Sequence, residues 1–245
     1  MFRKQLIEKG LGHERDFRWR GREVSRIEAF SDAVFGFSIT LLVVALEVPR
    51  TFDELHDLMR GFFSFAVSFL LLFQIWYAQN QFFRRYGLQD TFTILLNGLL
   101  MFVVVFYVYP LKFLFDLLFN GNRVMQAGRT VLMVKTQQLP TLMTIYGLGF
   151  VAVFGLIALL YAHAYRQRDA LELNAVEVFE TKGKIVGNGI NVLVAAALVG
   201  FAQWGDPGAV GNAFFVYFLI FPIQLLYRQW RRKLKSRLLA PAAEG

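Results

Sequence analysis

Six apolar stretches, each long enough to cross a bilayer, constrain this chain more than any other feature. They cover residues 27–48, 60–82, 92–118, 140–163, 185–204 and 210–227. A hydrocarbon core of about 30 Å takes roughly 20 helical residues to cross. Inside it every backbone amide and carbonyl must be paired within the segment, so spans of this kind are helices. The expected fold class is an all-α integral membrane protein with six transmembrane helices per chain. Charged and turn-forming segments punctuate the spans: "EVPRTFDELHD", "RRYGLQD", "NGNRVMQAGR", "RQRDALELNAVEVFETKGK" and "GDPG". The boundary of the fourth span is open, because "TVLMVKTQQLP" can extend that helix outward.

The charge pattern sets an expected orientation. With the amino terminus inside, 20 Lys and Arg fall on the inner side and only 5 on the outer. Lys and Arg concentrate on the cytoplasmic side of membrane proteins, so both termini are expected there. The expected division is a cytoplasmic N-terminal arm over 1–25, a six-helix membrane domain over 26–228 and a basic cytoplasmic tail over 229–245. The arm is charged throughout and lacks the apolar core of a signal peptide. A net charge of +8 raises nucleic acid as a partner, but the basic residues sit at the ends of apolar runs, which matches a membrane face instead.

Several chemistries find no residues to carry them. The chain has no Cys, which removes disulfides and thiolate sites. His13, His56 and His163 are scattered without ligand-like spacing, so no metal site is expected. "GKIVGNG" (183–189) lacks the spacing of a phosphate-binding loop, and Gly183 with Gly187 reads as a close helix contact. No nucleophile set or catalytic carboxylate pair is visible. An enzyme, a cofactor and a small-molecule substrate are not expected.

The first span carries the one acidic residue that demands an explanation. "SRIE" (Ser25 to Glu28) has the form of a capping box, so a helix is expected to start at Arg26. A later start, capped by Ser31–Asp32, is the alternative. On a helical wheel Phe37, Leu41, Val44, Phe30, Ala33, Thr40 and Arg26 share one stripe. Asp32 lies about 140° from Phe37 and Ser31 about 120°. The carboxylate is therefore expected to accept hydrogen bonds from neighbouring helices, because an unpaired charge at that depth is costly. Trp76, Gln79 and Asn80 of the second span and Asn97 of the third are the candidate partners.

The pattern of Arg26, Phe30, Ser31, Asp32, Ala33 and Val34 followed by "ITLLVV" resembles the opening of the lysosomal potassium channel family, transmembrane protein 175, and especially its single-repeat bacterial relatives. The resemblance extends through Trp76, Gln79–Asn80, Asp90 and Asn97, over residues 26 to about 115. It implies a potassium-permeable cation channel, a homotetramer in the bilayer, in which helix 1 of four chains lines the pore. Rings at Phe37, Leu41 and Val44 would form an apolar constriction about 10 Å long, with Thr40 beside it shaping permeation. Arg26, Phe30, Ser31, Asp32, Trp76, Asn80 and Asn97 would form the signature and its polar network. The family usually has Ile or Leu where this chain has Phe37, and "YAQN" lacks the expected His. Single-repeat relatives point to a prokaryotic plasma membrane. No "TVGYG"-type carbonyl filter occurs, so passage would be controlled by drying of the constriction. The alternatives are a proton-coupled transporter using Asp32 and a non-conducting assembly subunit of the same fold.

Overall fold

In the computed structural model, residues 17–21, 23–44, 48–126, 129–206, 209–210 and 216–239 are described. Helix α1 spans Arg26–Val44, a short α2 Phe52–Arg60, α3 Phe62–Tyr86 and α4 Thr91–Asn120. A β-hairpin follows, β1 Arg123–Gln126 with β2 Arg129–Leu132. Then come α5 Leu139–Arg166, α6 Ala175–Trp204 and α7 Val216–Leu239. Five of these helices are long and apolar enough to cross a membrane: α1, α3, α4, α5 together with the turn before it, and α6. The expected sixth span overlaps α7, but residues 211–215 lie outside the described residues.

Neighbours in sequence pack side by side. Helix α1 lies against α3 and α4, α4 against α5, α5 against α6, and α6 against α7. One apolar core joins α1, α3, α4 and α5 through Phe35, Leu42, Leu72, Leu100, Val104 and Ile157. Small hydroxyl residues let the helices approach: Ser38, Ser64 and Ser68 have no exposed surface. Ser64 Oγ donates to the Phe115 carbonyl of α4 at 3.1 Å, and Ser38 and Ser68 donate back within their own helices.

Capping chemistry determines where the long helices start and stop. Asp90 caps α4 by accepting from the Phe92 and Thr93 amides. Gly87 ends α3 at φ 63, a left-handed conformation that a side chain would strain. Asn174 and Glu177 form a reciprocal capping box, so α6 begins at Ala175. That is well ahead of the expected 185, because the charged run "VEVFETKGK" continues the helix beyond its apolar part instead of linking two helices. The outward extension left open for the fourth span is helical only from Thr136 onward. "RTVL" pairs as β2 across the hairpin, with Val124 opposite Val131, and a 3-10 turn at Thr136–Gln138 precedes α5.

Candidate functional site

The capping box at the head of α1 fixes the phase of the whole helix. The Ser25 amide and hydroxyl both donate to Glu28 Oε1, at 3.1 and 2.9 Å, and the Glu28 amide returns a bond to Ser25 Oγ at 3.3 Å. Ser31, Phe35, Ser38 and Leu42 then fall on one face, at i, i+4, i+7 and i+11, and all are buried in the bundle. The reverse face is bare. Phe30 is 60% exposed, Phe37 57% and Val44 71%, and Ala33, Gly36 and Thr40 between them are exposed too. Arg26 is exposed at the first turn.

Leu41 departs from the sequence-based stripe. It is half-buried and packs against the core cluster, on the flank of α1. The bare face is therefore centred nearer Ala33 and Thr40 than Phe37, a rotation that only contact with α3 and α4 reveals. The Thr40 hydroxyl donates to the Gly36 carbonyl at 2.7 Å. Its proton is thereby committed, and the oxygen lone pairs are left outward as acceptors.

The polar residues grouped around Asp32 divide into two sets. On the exposed side, the Trp76 indole Nε1 donates to Asp32 Oδ1 at 2.7 Å, tying α1 to α3. In the interior, Gln79 Nε2 donates to Asn97 Oδ1 at 3.1 Å, Asn97 Nδ2 donates to Ser31 Oγ at 2.8 Å, and Ser31 Oγ donates to the Ile27 carbonyl at 2.8 Å. This relay crosses three helices with its members 2%, 1% and 0% exposed. Each amide and hydroxyl has a partner, which is what makes a buried polar relay stabilising rather than costly. Gln79, not Asn80, supplies the α3 member: the two differ by one helical step, and the half-buried Asn80 belongs to neither set.

A second layer of polar contacts gathers where α1 begins and α3 and α5 end. The Arg20 guanidinium grips Glu177 at 2.8 Å through Nη2 and also donates to the Leu171 and Glu172 carbonyls. The Arg18 amide donates to the same carboxylate at 2.7 Å. Phe17 lies edge-on to Tyr86, and the Tyr86 hydroxyl meets Thr181 Oγ1 at 2.6 Å. The chain leading into α1 is thus strapped across α3 and α6. Sequence reading missed this strap; the Asn174-x-x-Glu177 spacing was the available signal for half of it. Nearby, His163 Nε2 stands 3.0 Å from Asp90 Oδ2. Burial alone pushes the Asp90 carboxyl up, but bonds from the Thr93 hydroxyl and amide and from His163 outweigh it and hold it at about 2. No cluster of His, Cys, Asp or Glu able to hold a metal ion occurs among the described residues.

Covered on one face, bare on the other and anchored by polar bonds to two neighbours, α1 sits in what is plainly a helical multi-pass membrane protein. The sequence model of the family described as "Endosomal/lysosomal potassium channel TMEM175" matches residues 26–107. A potassium channel of Marivirga tractuosa is 38% identical over 248 residues, covering 96% of this chain and 99% of that protein. A potassium channel of Chamaesiphon minutus is 32% identical over 106 residues, 40% of this chain and 52% of its own length. Among solved structures, a threonine-to-alanine variant of the potassium channel MtTMEM175, crystallised with a nanobody–MBP fusion, superposes with a TM-score of 0.78. It is 37% identical, and the match covers 91% of this chain and 99% of that one. The crystal structure of a TMEM175 homologue from Chamaesiphon minutus, 23% identical, shares the fold at a TM-score of 0.51, over 81% of this chain and 96% of that one. The chain belongs to the TMEM175 family, a family of channels and not of enzymes.

Proposed function

We propose that this chain forms a potassium-permeable channel, a homotetramer in which the bare face of α1 from four copies surrounds the ion path. The observation that carries the reading is the contrast between the two sides of α1. Ser31 and Ser38 are wholly buried, whereas Phe37 and Val44, on the opposite side, are more than half exposed. The helix is held rigidly by the relay through Asn97 and by Trp76, so that a neighbouring copy would meet a fixed surface.

In this reading Phe37 and Val44 form the apolar constriction, Leu41 supports it from the flank, and Thr40 faces the path beside it. An apolar constriction controls flow by drying: below a threshold width water leaves, and an ion meets a desolvation barrier. Small tilts of α1 would then switch conduction. Ease of partial dehydration favours potassium over the more tightly hydrated sodium, and the outward lone pairs of Thr40 would replace part of the lost hydration. Asp32, already accepting a bond from an indole that does not titrate, acts as a structural anchor and not as a proton carrier.

Six membrane spans over 26–228, both termini in the cytoplasm and residence in a prokaryotic plasma membrane complete the proposal, supported by the Lys and Arg bias. Purified protein reconstituted in planar bilayers tests it. Reversal potentials are expected to follow the potassium gradient and ignore an imposed proton gradient. Flux locked to protons, or a particle of one chain by light scattering, would overturn it.

A further inference from the structure

Helix α7 presents two unlike sides. Gln224, Tyr227, Arg231 and Lys235 face α6. Gln224 Nε2 donates to the Gly187 carbonyl and to Asn191 Oδ1, both at 2.7 Å, and Tyr227 donates to the Gly183 carbonyl at 3.2 Å. Arg231 fills the space above Gly183, where a Cβ would overlap its guanidinium, and donates to the Phe179 carbonyl at 2.6 Å. Lys235 pairs with Glu180 at 2.9 Å. These contacts run towards the start of α6, so the basic half of α7 ends beside Phe179 and Glu180, at the end of the bundle where Arg20 meets Glu177.

The other side of α7 changes character within one turn. Leu225 and Leu226 are 49% and 66% exposed. Arg228 and Arg232, four residues apart on the Leu225 flank, are exposed just beyond them, as is Lys233. Trp230, 60% exposed, stands on the opposite flank. An uncovered leucine followed along the same flank by two arginines has the profile of a phospholipid, acyl chain first and phosphate second. An exposed Trp beside it is the residue type that settles at headgroup level.

We propose that Arg228, Arg232 and Lys233, with Leu225 and Trp230, form a docking surface for anionic phospholipid headgroups of the leaflet at this end of the bundle. Charge complementarity selects the occupant: each basic residue beside an anionic leaflet adds attraction that a zwitterionic lipid does not supply. Arg additionally engages a phosphate through two parallel bonds. The surface is independent of conduction and requires only that α6 lies in the membrane.

Native mass spectrometry of the full chain, purified in detergent and offered phosphatidylglycerol or phosphatidylcholine, tests this. Wild type is expected to retain phosphatidylglycerol preferentially. The triple variant Arg228→Gln, Arg232→Gln, Lys233→Gln is expected to lose that preference by roughly a hundredfold while melting at the wild-type temperature. A Leu225→Ala variant, which keeps every charge, should weaken retention of long-chain more than short-chain phosphatidylglycerol. Equal retention of both lipids by wild type, or unchanged preference in the triple variant, would overturn the proposal. So would inorganic phosphate alone displacing the lipid at equal charge, or a triple variant that alters particle mass without altering lipid retention; the latter would assign the face to another copy of the chain.

Discussion

Asn97→Ala cuts the buried relay at its middle, and its cost follows from the contacts. The side chain accepts from Gln79 and donates to Ser31 across two helix interfaces. Inter-helix hydrogen bonds in membranes average about 0.6 kcal/mol and reach about 1.7, because the separated helices also find partners. Two of them give roughly 1.2 to 3.4 kcal/mol. Gln79, 2% exposed, is left with an unsatisfied amide in an apolar interior, which places the loss in the upper half, about 2–3 kcal/mol. Ser31→Ala deletes only one of the two bonds and is expected to cost about 1 kcal/mol. Reversible unfolding in mixed micelles, followed by circular dichroism, measures both variants and the double mutant. The double mutant should cost less than the sum by about 0.6 kcal/mol or more, the worth of the shared bond. An Asn97→Ala variant within about 0.5 kcal/mol of wild type, or strictly additive costs, would refute the relay as a unit.

Other perturbations test separate parts of the structure. Phe37→Ala removes one of the two phenyl rings exposed on the bare face of α1, so potassium flux into liposomes is expected to rise; unchanged flux would place the constriction elsewhere. Asp90 is held at about 2 against an ordinary 3.8, so its stabilisation is present above pH 4 and is lost as pH falls through 2. After discounting for its partial exposure, Asp90→Asn should cost roughly 1 kcal/mol near neutrality and progressively less as pH falls through 2, read as converging melting curves. Glu177→Gln removes the charge partner of the Arg20 guanidinium, which is 13% exposed and keeps only its carbonyl acceptors, and weakens the α6 cap. A loss of about 3 kcal/mol is expected in the same unfolding assay.

Much of this molecule is readable without coordinates because the bilayer imposes simple rules. Five of the six expected spans follow from the length of the apolar runs, and the start of α1 follows from Ser25 and Glu28 at capping-box spacing. That Asp32 stands off the apolar stripe follows from 100° steps along an ideal helix. Each of these is a one-helix property, set by neighbours within a few residues. The hairpin was missed because β1 and β2 are short and lie between two apolar runs, so periodicity had little to act on. The early start of α6 is hidden in the sequence because its charged run marks the end of the apolar segment and not the end of the helix.

What the amino-acid order determined by itself is therefore local and environmental: the apolar helices, the cap of α1 and the family to which Arg26, Phe30, Ser31 and Asp32 belong. Only the tertiary structure decided that Leu41 turns to the flank and that Gln79 rather than Asn80 meets Asn97. The same holds for Arg20 reaching Glu177, 157 residues away, and for Arg231 occupying the space above Gly183. The physical reason is that each of these contacts belongs to two segments at once, and for the helices it takes a definite form. A helix rotates and slides as a rigid body until its side chains interlock with another's, and that rotation is a property of the pair, written in neither sequence segment alone.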